Sequence, residues 1–313
     1  MRVLCWHVHG SWSTAFVRGG HRYLLPTRPD GTGGRPRAWD WPDSAVEVEL
    51  GALRPADVDV AVVQRPEELD ELRAVGLDPP VVYLEHNTPR GDPPGTRHPM
   101  ADRDDLTVVH VTHFNDLMWD CGRTRTVVVP HGIPDPGHRY TGELARAAVV
   151  VNEPVRRGRV TGTDLLPRFA AAAPLDVFGM GLDGLGAHLG LRPERLRPIG
   201  DLPQPLLHEE LARRRVYVHP MRWTSLGLSL LEAMALGMPV VALATTEAVT
   251  AVPPGAGVLD TDVDALVAAA AERRADPAAA ARMGRAAREA VLESFGLKEF
   301  LTRWDRLLME VTA

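Results

Sequence analysis

The sequence predicts an α/β protein with two doubly wound domains, each built on a parallel sheet. Short apolar runs typical of buried strands alternate with helical or irregular segments along the whole chain. The length of 313 residues suits two domains of ordinary size. Polar side chains follow one apolar run after another, which is the pattern expected where ligands bind at the carboxyl ends of parallel strands.

The first domain is expected over residues 1–143. Its predicted strands are 2–8, 57–63, 80–84, 106–111 and 126–129, with a short helix from Ser13 and a surface loop over 27–42. The segment 134–143, PDPGHRYTGE, is predicted to be the linker between the domains.

The second domain is expected over residues 144–296. Its predicted strands are AAVVV from Ala147, then LDVFG, LRPIG, VYVHP and PVVAL. A helix is predicted from Pro277, with Asp276 as its N-cap and Gly296 just after its end. The segment from Leu297 has the periodicity of a further amphipathic helix.

Polar residues end five of the first domain's predicted strands. They are His7 and His9, Gln64 and Arg65, Glu85 to Asn87, Thr112 and His113, and His131. A single polar strand end is equally well explained by exposure to solvent, but five together indicate a substrate site. We therefore select as acceptor-side candidates His7, His9, Gly10, Arg65 and His113.

The composition excludes several classes of protein. A net charge of −6 argues against a nucleic-acid groove or an anionic membrane surface as the main partner. No apolar run approaches a membrane span and no signal-peptide pattern precedes the first strand. Two cysteines, Cys5 and Cys121, are too few for a disulfide framework. We expect a cytoplasmic protein without stable membrane insertion. Lys298 is the one lysine in the sequence, so phosphate contacts must come from arginine or backbone N–H groups.

The stretch 223–244, WTSLGLSLLEAMALGMPVVALA, carries the most specific pattern. Four apolar residues fall on one helical face: Leu226, Leu230, Ala233 and Met234. Gly237 is predicted to be a left-handed C-terminal cap, before a strand in PVVALA. The turn before the helix presents backbone N–H groups to an anion, and Glu232 could accept hydrogen bonds from hydroxyl groups. A phosphate site beside such a carboxylate suits a nucleotide.

This stretch resembles the signature of family-four retaining glycosyltransferases, E-G-F-G-L-x-x-x-E-A-M-A-x-G-x-P-V-V-A. The residues in register are Gly227, Leu228, Glu232, Ala233, Met234, Ala235, Gly237, Pro239, Val240, Val241 and Ala242. The first glutamate of the pattern is replaced by Thr224, and Ser225 and Leu226 stand in place of Gly-Phe.

The resemblance implies the GT-B fold, in which two Rossmann-like domains face each other across a cleft and a C-terminal helix, here about 297–313, crosses back to the first domain. It implies donor contacts from Thr224, Ser225, Leu226, Gly227, Leu228, Glu232, Arg157, Arg159, Gly179 and Ile199. The catalytic candidates are His86, Arg222 and Glu232; His86 matches a strand-end histidine of the family. Where the family has a Lys-Gly pair and an arginine, this sequence has Thr161-Gly162 and Glu153.

We therefore expect a retaining hexosyl- or heptosyltransferase that uses a UDP-, GDP- or ADP-linked sugar and a hydroxyl acceptor, with no cofactor and no metal. Its product would be a surface polysaccharide, glycolipid or secondary metabolite. Thr224 leaves open a non-catalytic sugar-nucleotide-binding protein. The G-x-G-x-x-G turn in 178–186, with Asp201 after the next strand, leaves open an NAD-dependent oxidoreductase.

Three other patterns have the spacing of metal ligands but are not interpreted as metal sites. Cys5, His7 and His9 share the spacing of metal ligands on one strand face, but strand-end histidines at a substrate site explain them better. The D-x-D patterns Asp57-Asp59 and Asp260-Asp262-Asp264 lie at turn positions, where aspartate commonly makes local hydrogen bonds, and are interpreted as structural.

Overall fold

The computed structural model describes residues 1–28, 32–36 and 39–313. The chain divides into two compact units: unit 1 is Met1–Pro134 with Phe295–Ala313, and unit 2 is Asp135–Ser294. The division lies at Pro134, earlier than the expected boundary after residue 143. The reason is that most of the predicted linker is attached to unit 2: the N–H groups of Arg139 and Tyr140 each donate to the carbonyl of Leu236 at 3.0 Å.

Unit 1 contains a seven-stranded parallel sheet in the order β3-β2-β1-β4-β5-β6-β7. The strands are β1 Arg2–Cys5, β2 Arg22–Thr27, β3 Ala45–Glu49, β4 Val60–Val63, β5 Val81–Glu85, β6 Leu106–His110 and β7 Arg125–Val128. Its helices are α1 Gly10–Phe16, α2 Pro66–Ala74, α3 His113–Met118 and α12 Leu297–Val311.

Two strands of this sheet, β2 and β3, were not predicted, and β1 is shorter than predicted. β1 ends at Cys5, so His7 and His9 lie in the connection to α1 and do not share a strand face with Cys5. The loop predicted over 27–42 begins where β2 ends; residues 29–31 and 37–38 of that loop lie outside the described residues.

Helix α12 belongs to the hydrophobic core of unit 1. Phe300 and Trp304 are buried with residues of α1 and the sheet. The ring of Trp304 lies 5.6 Å from that of Trp12 and 4.9 Å from that of Phe16, both edge to face. The predicted return of the C-terminal helix to the first domain is confirmed.

Unit 2 contains a six-stranded parallel sheet in the order β10-β9-β8-β11-β12-β13. The strands are β8 Leu144–Val150, β9 Leu175–Phe178, β10 Leu196–Gly200, β11 Arg214–His219, β12 Val240–Leu243 and β13 Gly257–Asp260. The helices are α4 Pro154–Arg157, α5 Leu166–Ala172, α6 Leu185–Leu189, α7 Gln204–Ala212, α8 Leu228–Ala235, α9 Ala248–Ala251, α10 Val263–Ala275 and α11 Pro277–Phe295. Both sheets thus have the order 3-2-1-4-5-6 within their first six strands, which is the doubly wound order.

Helix α8 ends as its sequence predicted. Gly237 has a φ of +86°, its N–H donates to Met234 O at 2.9 Å, and the N–H of Met238 donates to Ala233 O at 3.0 Å. These two bonds form a Schellman motif, which satisfies carbonyls that the helix end leaves unpaired. The predicted apolar face of the segment, including Leu230 and Met234, is buried.

The N-cap of α11 is also confirmed, because Oδ1 of Asp276 accepts a hydrogen bond from Ala279 N at 2.9 Å. None of the helices in the described part of the chain combines the length and apolar character needed to cross a bilayer.

Candidate functional site

Some of the predicted site residues lie at the switch point of each sheet, where the strand order reverses. In unit 1 this point lies between β1 and β4, and in unit 2 between β8 and β11. Ligands of open parallel sheets bind outside the carboxyl ends of the strands at such points. His9 and Gly10 follow β1, Arg65 follows β4, and the turn at 224–228 follows β11.

The turn that leads into α8 packs closely on the end of β11. A Cβ atom added to Gly227 would lie 2.5 Å from Cε1 of His219, so glycine is needed here for space. Burial lowers the pKa of His219 to about 4, and its Nδ1 atom is buried without a hydrogen-bond partner in the described structure. The imidazole beneath the turn is therefore neutral.

His219 was not selected from the sequence. The signal was present, because VYVHP ends in a histidine just as VVVP does before His131. The same reasoning about polar strand ends that selected the unit 1 residues would have found it.

Glu232 lies on α8 with its carboxylate directed at α7. Its residue surface is 8% exposed, which is less than an open position on the polar side of the helix would give. The Nε2 atom of Gln204 donates to Oε1 of Glu232 at 2.8 Å. His208 Nε2 lies 3.8 Å from the other oxygen, Oε2, which is too far for a hydrogen bond. One carboxylate oxygen is thus occupied within unit 2.

Arg222, just before the turn, is held by Asp164. Its Nη1 and Nη2 atoms contact the two carboxylate oxygens of Asp164 at 2.5 and 2.9 Å, and Arg159 Nη1 reaches the same carboxylate at 3.0 Å. Although partial burial opposes the effect, the hydrogen bond and charge of Arg222 and the charge of Arg159 hold the pKa of Asp164 below its usual value. The structure therefore brings Arg159 and Arg222 together around one carboxylate, with a net charge of about +1.

The other residues after β8 are engaged locally. Thr161, at the place of the family's lysine, is buried and its hydroxyl donates to Gly158 O at 3.0 Å. Glu153 adopts a left-handed φ of +55°, and Arg156 Nε lies 3.5 Å from its Oε2. Arg157 is the last residue of α4 and is half-buried. The position of the family's lysine is therefore occupied by a buried, uncharged side chain, and any cation at the phosphate must come from another residue.

The glycine-rich turn after β9 packs on the turn after β8. Glu153 N donates to Met180 O at 2.8 Å, and Met180 N donates to Asn152 Oδ1 at 2.9 Å. Gly179 begins this turn, and Ile199 lies near the end of the neighbouring β10. The next helix, α6, has five residues, whereas a dinucleotide fingerprint opens a full crossover helix. This arrangement does not favour NAD binding.

In unit 1 the structure groups three histidines and a tryptophan at the strand ends. The ring of His86 lies 3.9 Å from that of His9, 6.1 Å from that of His131 and 5.5 Å from that of Trp12. Burial and the neighbouring histidines lower the pKa of His86 well below its usual value. Burial, with a smaller contribution from His9, lowers that of His131 to about 3. The group is therefore uncharged at neutral pH.

The remaining acceptor-side candidates lie in different surroundings. Gly10 begins α1, and the ring of His7 lies 5.1 Å from that of Trp41. Arg65 is exposed at the start of α2, and its charge adds to burial in lowering the pKa of His9. His113 is exposed in the first turn of α3. Of these five candidates, His9 is the one with a ring contact to His86 in the described structure, and the two rings are tilted by 43°.

The described residues contain no group of three or more His, Cys, Asp or Glu side chains arranged to hold a metal ion. The D-x-D pairs have structural partners, as predicted. Asp59 Oδ2 accepts from the backbone N–H of Arg2 at 2.6 Å, and Asp262 Oδ1 accepts from Asp264 N at 2.8 Å.

Residues 164–276 match the family model described as "Glycosyl transferases group 1". The matched segment contains Asp164, Arg222, the turn at 224–228 and Glu232. A search of curated proteins by sequence finds no match.

Several solved structures are similar to this chain, two of them over nearly its whole length. Sucrose-phosphate synthase from Thermosynechococcus elongatus has a TM-score of 0.72 at 17% identity, covering 99% of each chain. Anabaena HepE in complex with UDP-glucose has a TM-score of 0.71 at 16% identity, covering 99% of this chain and 100% of that one. TarM from S. aureus has a TM-score of 0.61 at 13% identity, covering 80% of this chain and 55% of that one. At these identities the similarities show the fold.

Proposed function

Unit 2 contains a glycosyl transferases group 1 domain within a chain of GT-B fold, and from this premise we propose that the protein is a retaining, metal-independent glycosyltransferase. It transfers a sugar from a nucleotide-sugar donor to a hydroxyl acceptor. The observation that carries the proposal is the position of the turn at 224–228 and of Glu232 within the matched segment and at the switch point of the unit 2 sheet.

Unit 2 is proposed to bind the donor. Backbone N–H groups of the turn before α8 and the paired cations of Arg159 and Arg222 suit a diphosphate. Glu232 is proposed to accept hydrogen bonds from the ribose hydroxyls. Because HepE, which has the same fold, is solved with UDP and with UDP-glucose, a UDP-linked sugar is the first donor to test, ahead of GDP- and ADP-linked sugars.

The proposed reaction is substitution at the front face of the sugar. The leaving diphosphate accepts the proton of the attacking hydroxyl, so the protein's part is to orient the reactants and to stabilise the departing charge. The backbone donors and arginines of unit 2 would supply that stabilisation without a metal ion. In unit 1 the neutral His86 would bind a hydroxyl of the sugar or the acceptor.

Thr224 is proposed to set donor choice. Where the family has a glutamate that binds hydroxyls of the transferred sugar, the shorter threonine removes a charge and leaves space. A bulkier or differently hydroxylated sugar, such as a heptose, would fit this change. A cytoplasmic location and a role in making a surface polysaccharide, glycolipid or secondary metabolite complete the proposal, in keeping with the two free, buried cysteines.

The test begins with thermal shift and calorimetric titration against UDP-, GDP- and ADP-sugars, because a donor that binds the native state raises the melting temperature. The bound donor is then incubated with hydroxyl acceptors in EDTA, and the anomeric configuration of the product is read by NMR. Retention without metal supports the proposal. An inverted product, or activity that EDTA abolishes and a divalent ion restores, contradicts it.

The second candidate is a non-catalytic sugar-nucleotide-binding protein, which the replacement of the family glutamate by Thr224 favours. Slow donor hydrolysis or transfer by the wild type, absent in a Glu232→Ala variant, excludes it. Binding of a nucleotide sugar with no turnover of any donor or acceptor would favour it over the enzyme.

A further inference from the structure

Gln64 connects the backbone after β1 to the imidazole of His86. It directly follows β4 and is buried, with 8% of its surface exposed. Its Nε2 atom lies 2.7 Å from the carbonyl oxygen of Trp6, and its Oε1 atom lies 3.0 Å from Nε2 of His86. Both contacts lie within unit 1.

The chemistry of these contacts fixes the direction of each hydrogen bond. A backbone carbonyl can only accept, so the amide nitrogen of Gln64 must face Trp6, because the flipped amide would place two oxygens in contact. The amide oxygen therefore faces His86, and Nε2 of His86 must carry the hydrogen. In a neutral imidazole the lone pair then resides on Nδ1.

The surroundings of His86 keep the ring neutral. His9 and His131 are the nearest titratable rings, and both add to burial in lowering the pKa of His86. The neighbouring carboxylate of Glu85 accepts hydrogen bonds from Asn87 N at 2.6 Å and from His98 Nε2 at 3.1 Å. It is thus paired with other groups, and no hydrogen bond joins it to His86 in the described structure.

The backbone of Gln64 is also held in place. Its N–H donates to Oε2 of Glu68 at 2.6 Å. Glu68 therefore fixes the backbone at the end of β4. Glu68 is 1% exposed. A side chain anchored at the backbone, at the amide nitrogen and at the amide oxygen has little freedom to present another orientation to His86.

We propose that Gln64 is a positioning residue: it fixes His86 as the Nε2–H tautomer, so that Nδ1 accepts a hydrogen bond from a substrate hydroxyl. Within the described residues Nδ1 of His86 has no hydrogen-bond partner. The ligand group at this point is therefore a hydrogen-bond donor. The identity of that group as a hydroxyl of a sugar or of its acceptor rests on the proposed function.

The tautomer is measured on the free protein by long-range ¹H–¹⁵N NMR of histidine-labelled samples, assigned with a His86→Ala variant. The wild type should show one protonated Nε2 and one unprotonated Nδ1 for His86 between pH 6 and 8. Gln64→Met keeps the side-chain length and removes both hydrogen bonds, and it should shift both nitrogens toward an average of the two tautomers. A wild-type protein with the hydrogen on Nδ1 overturns the proposal without any variant.

Thr124→Val is the matched control. Its hydroxyl donates to Met100 O at 2.7 Å and is buried like the amide of Gln64, but Thr124 precedes β7 and so lies at the opposite end of the sheet. The control should lose comparable stability and leave the His86 nitrogens unchanged. A shift of those nitrogens in Thr124→Val as large as in Gln64→Met would show a general effect of destabilisation and overturn the proposal.

Activity provides the second test. One lost hydrogen bond corresponds to a fall in kcat/KM of about three- to tenfold for Gln64→Met. In a His86→Ala background the same substitution should change kcat/KM by less than about twofold, because the residue it positions is gone. Equal losses in both backgrounds contradict the proposal. If the wild type turns over no nucleotide sugar, the proposed function fails, and the nitrogen shifts alone decide the role of Gln64.

Discussion

The carboxylate of Glu232 has one oxygen bonded to Gln204 and the other near His208. If the free oxygen accepts ribose hydroxyls, Glu232→Ala should weaken donor binding at least about tenfold, since a hydrogen bond to a charged group contributes roughly 1.5–3 kcal/mol. Glu232→Gln should have a smaller effect. Calorimetric titration with the free nucleoside diphosphate measures both.

Gln204→Leu is the control for a structural role of Glu232, because it removes the α7–α8 hydrogen bond and leaves the carboxylate. A large drop in melting temperature in Glu232→Ala and Gln204→Leu alike, with unchanged nucleotide affinity, would make Glu232 a structural residue of unit 2.

Arg222 and Arg156 differ in how firmly they are held. The guanidinium of Arg222 is paired with Asp164 on both Nη atoms, whereas the Arg156 side chain is 72% exposed and has one contact at 3.5 Å. A pre-positioned cation loses less entropy when it binds phosphate. Arg222→Ala should weaken donor binding about tenfold and Arg156→Ala less than about twofold.

Asp164→Asn separates the positioning of Arg222 from its charge. It keeps both arginines and removes their shared carboxylate, so an intermediate loss of donor affinity is expected. Tighter donor binding in Asp164→Asn would mean that the carboxylate mainly repels the diphosphate. Equal, small effects of Arg222→Ala and Arg156→Ala would place the phosphates elsewhere.

For individual residues, the sequence predicted those that belong to one contiguous motif. Gly227, Glu232 and Gly237 all lie within the stretch 223–244. Glu232 is bonded to Gln204 and Gly237 packs on His138; both partners come from distant segments, and no local pattern marks them. Packing of α7 on α8 decides that Glu232 is mostly buried, and this information is absent from the periodicity of α8 itself.

Among the elements, the C-terminal end of α8 gives a direct test. Gly237→Ala would force a side chain into a left-handed conformation, and its Cβ would lie 2.7 Å from Cδ2 of His138. The loss in the free energy of unfolding should be about 1–3 kcal/mol, measured by denaturant titration.

Gly190→Ala is the control for Gly237→Ala, because Gly190 also ends a helix of unit 2 with a φ of +65° and has no atom within 4 Å of an added Cβ. The difference between the two variants isolates the contact with His138. Equal losses would assign the whole effect to backbone strain.

The strands missed from the sequence have local reasons. β2 contains Pro26, and proline in a run argues against a strand. In β3, AVEVE, half-exposed and exposed residues predominate, which fits its place at the edge of the sheet. β13 is also an edge strand and has no fully buried residue. Most of the strands that were predicted lie in the interior of a sheet, with a neighbouring strand on each side. Such strands are buried and have continuous apolar runs.

For the whole molecule, the alternation of strands and helices was sufficient to predict two Rossmann-like units, and the central motif was sufficient to predict the GT-B fold and a glycosyltransferase. The structure and its solved neighbours confirm the fold, and residues 164–276 match the family model. The boundary after residue 134 was not predictable from composition, because a proline- and glycine-rich segment can be bonded along its length to one unit.

Stability should fall as the pH is lowered. Burial lowers the pKa of His110 and His219 to about 4 and that of His131 to about 3. The unfolded chain therefore binds more protons below pH about 6.5, and the folded state loses stability as the pH falls from there to about 4. Burial raises the pKa of Glu68 to about 7, which acts in the opposite direction but is one group against three.

The free energy of unfolding should accordingly be lower at pH 5 than at pH 7 by about 2–4 kcal/mol. Denaturant titrations at the two pH values measure the difference, and His110→Gln should reduce it. A larger free energy of unfolding at pH 5 would show that buried carboxylates dominate the balance.

Unit 1 is discontinuous in sequence, and this affects the order in which the two units can fold during synthesis. Trp12 and Phe16 emerge early, yet their partners Phe300 and Trp304 are made nearly three hundred residues later. Unit 2 is one uninterrupted segment and can fold before α12 has been synthesised. Until then the core of unit 1 is incomplete and its apolar surface is exposed, a state prone to aggregation and chaperone binding. A chain released after Ser294 should therefore keep unit 2 resistant to protease while unit 1 is cleaved. Completion of unit 1 in the nascent chain thus depends on α12.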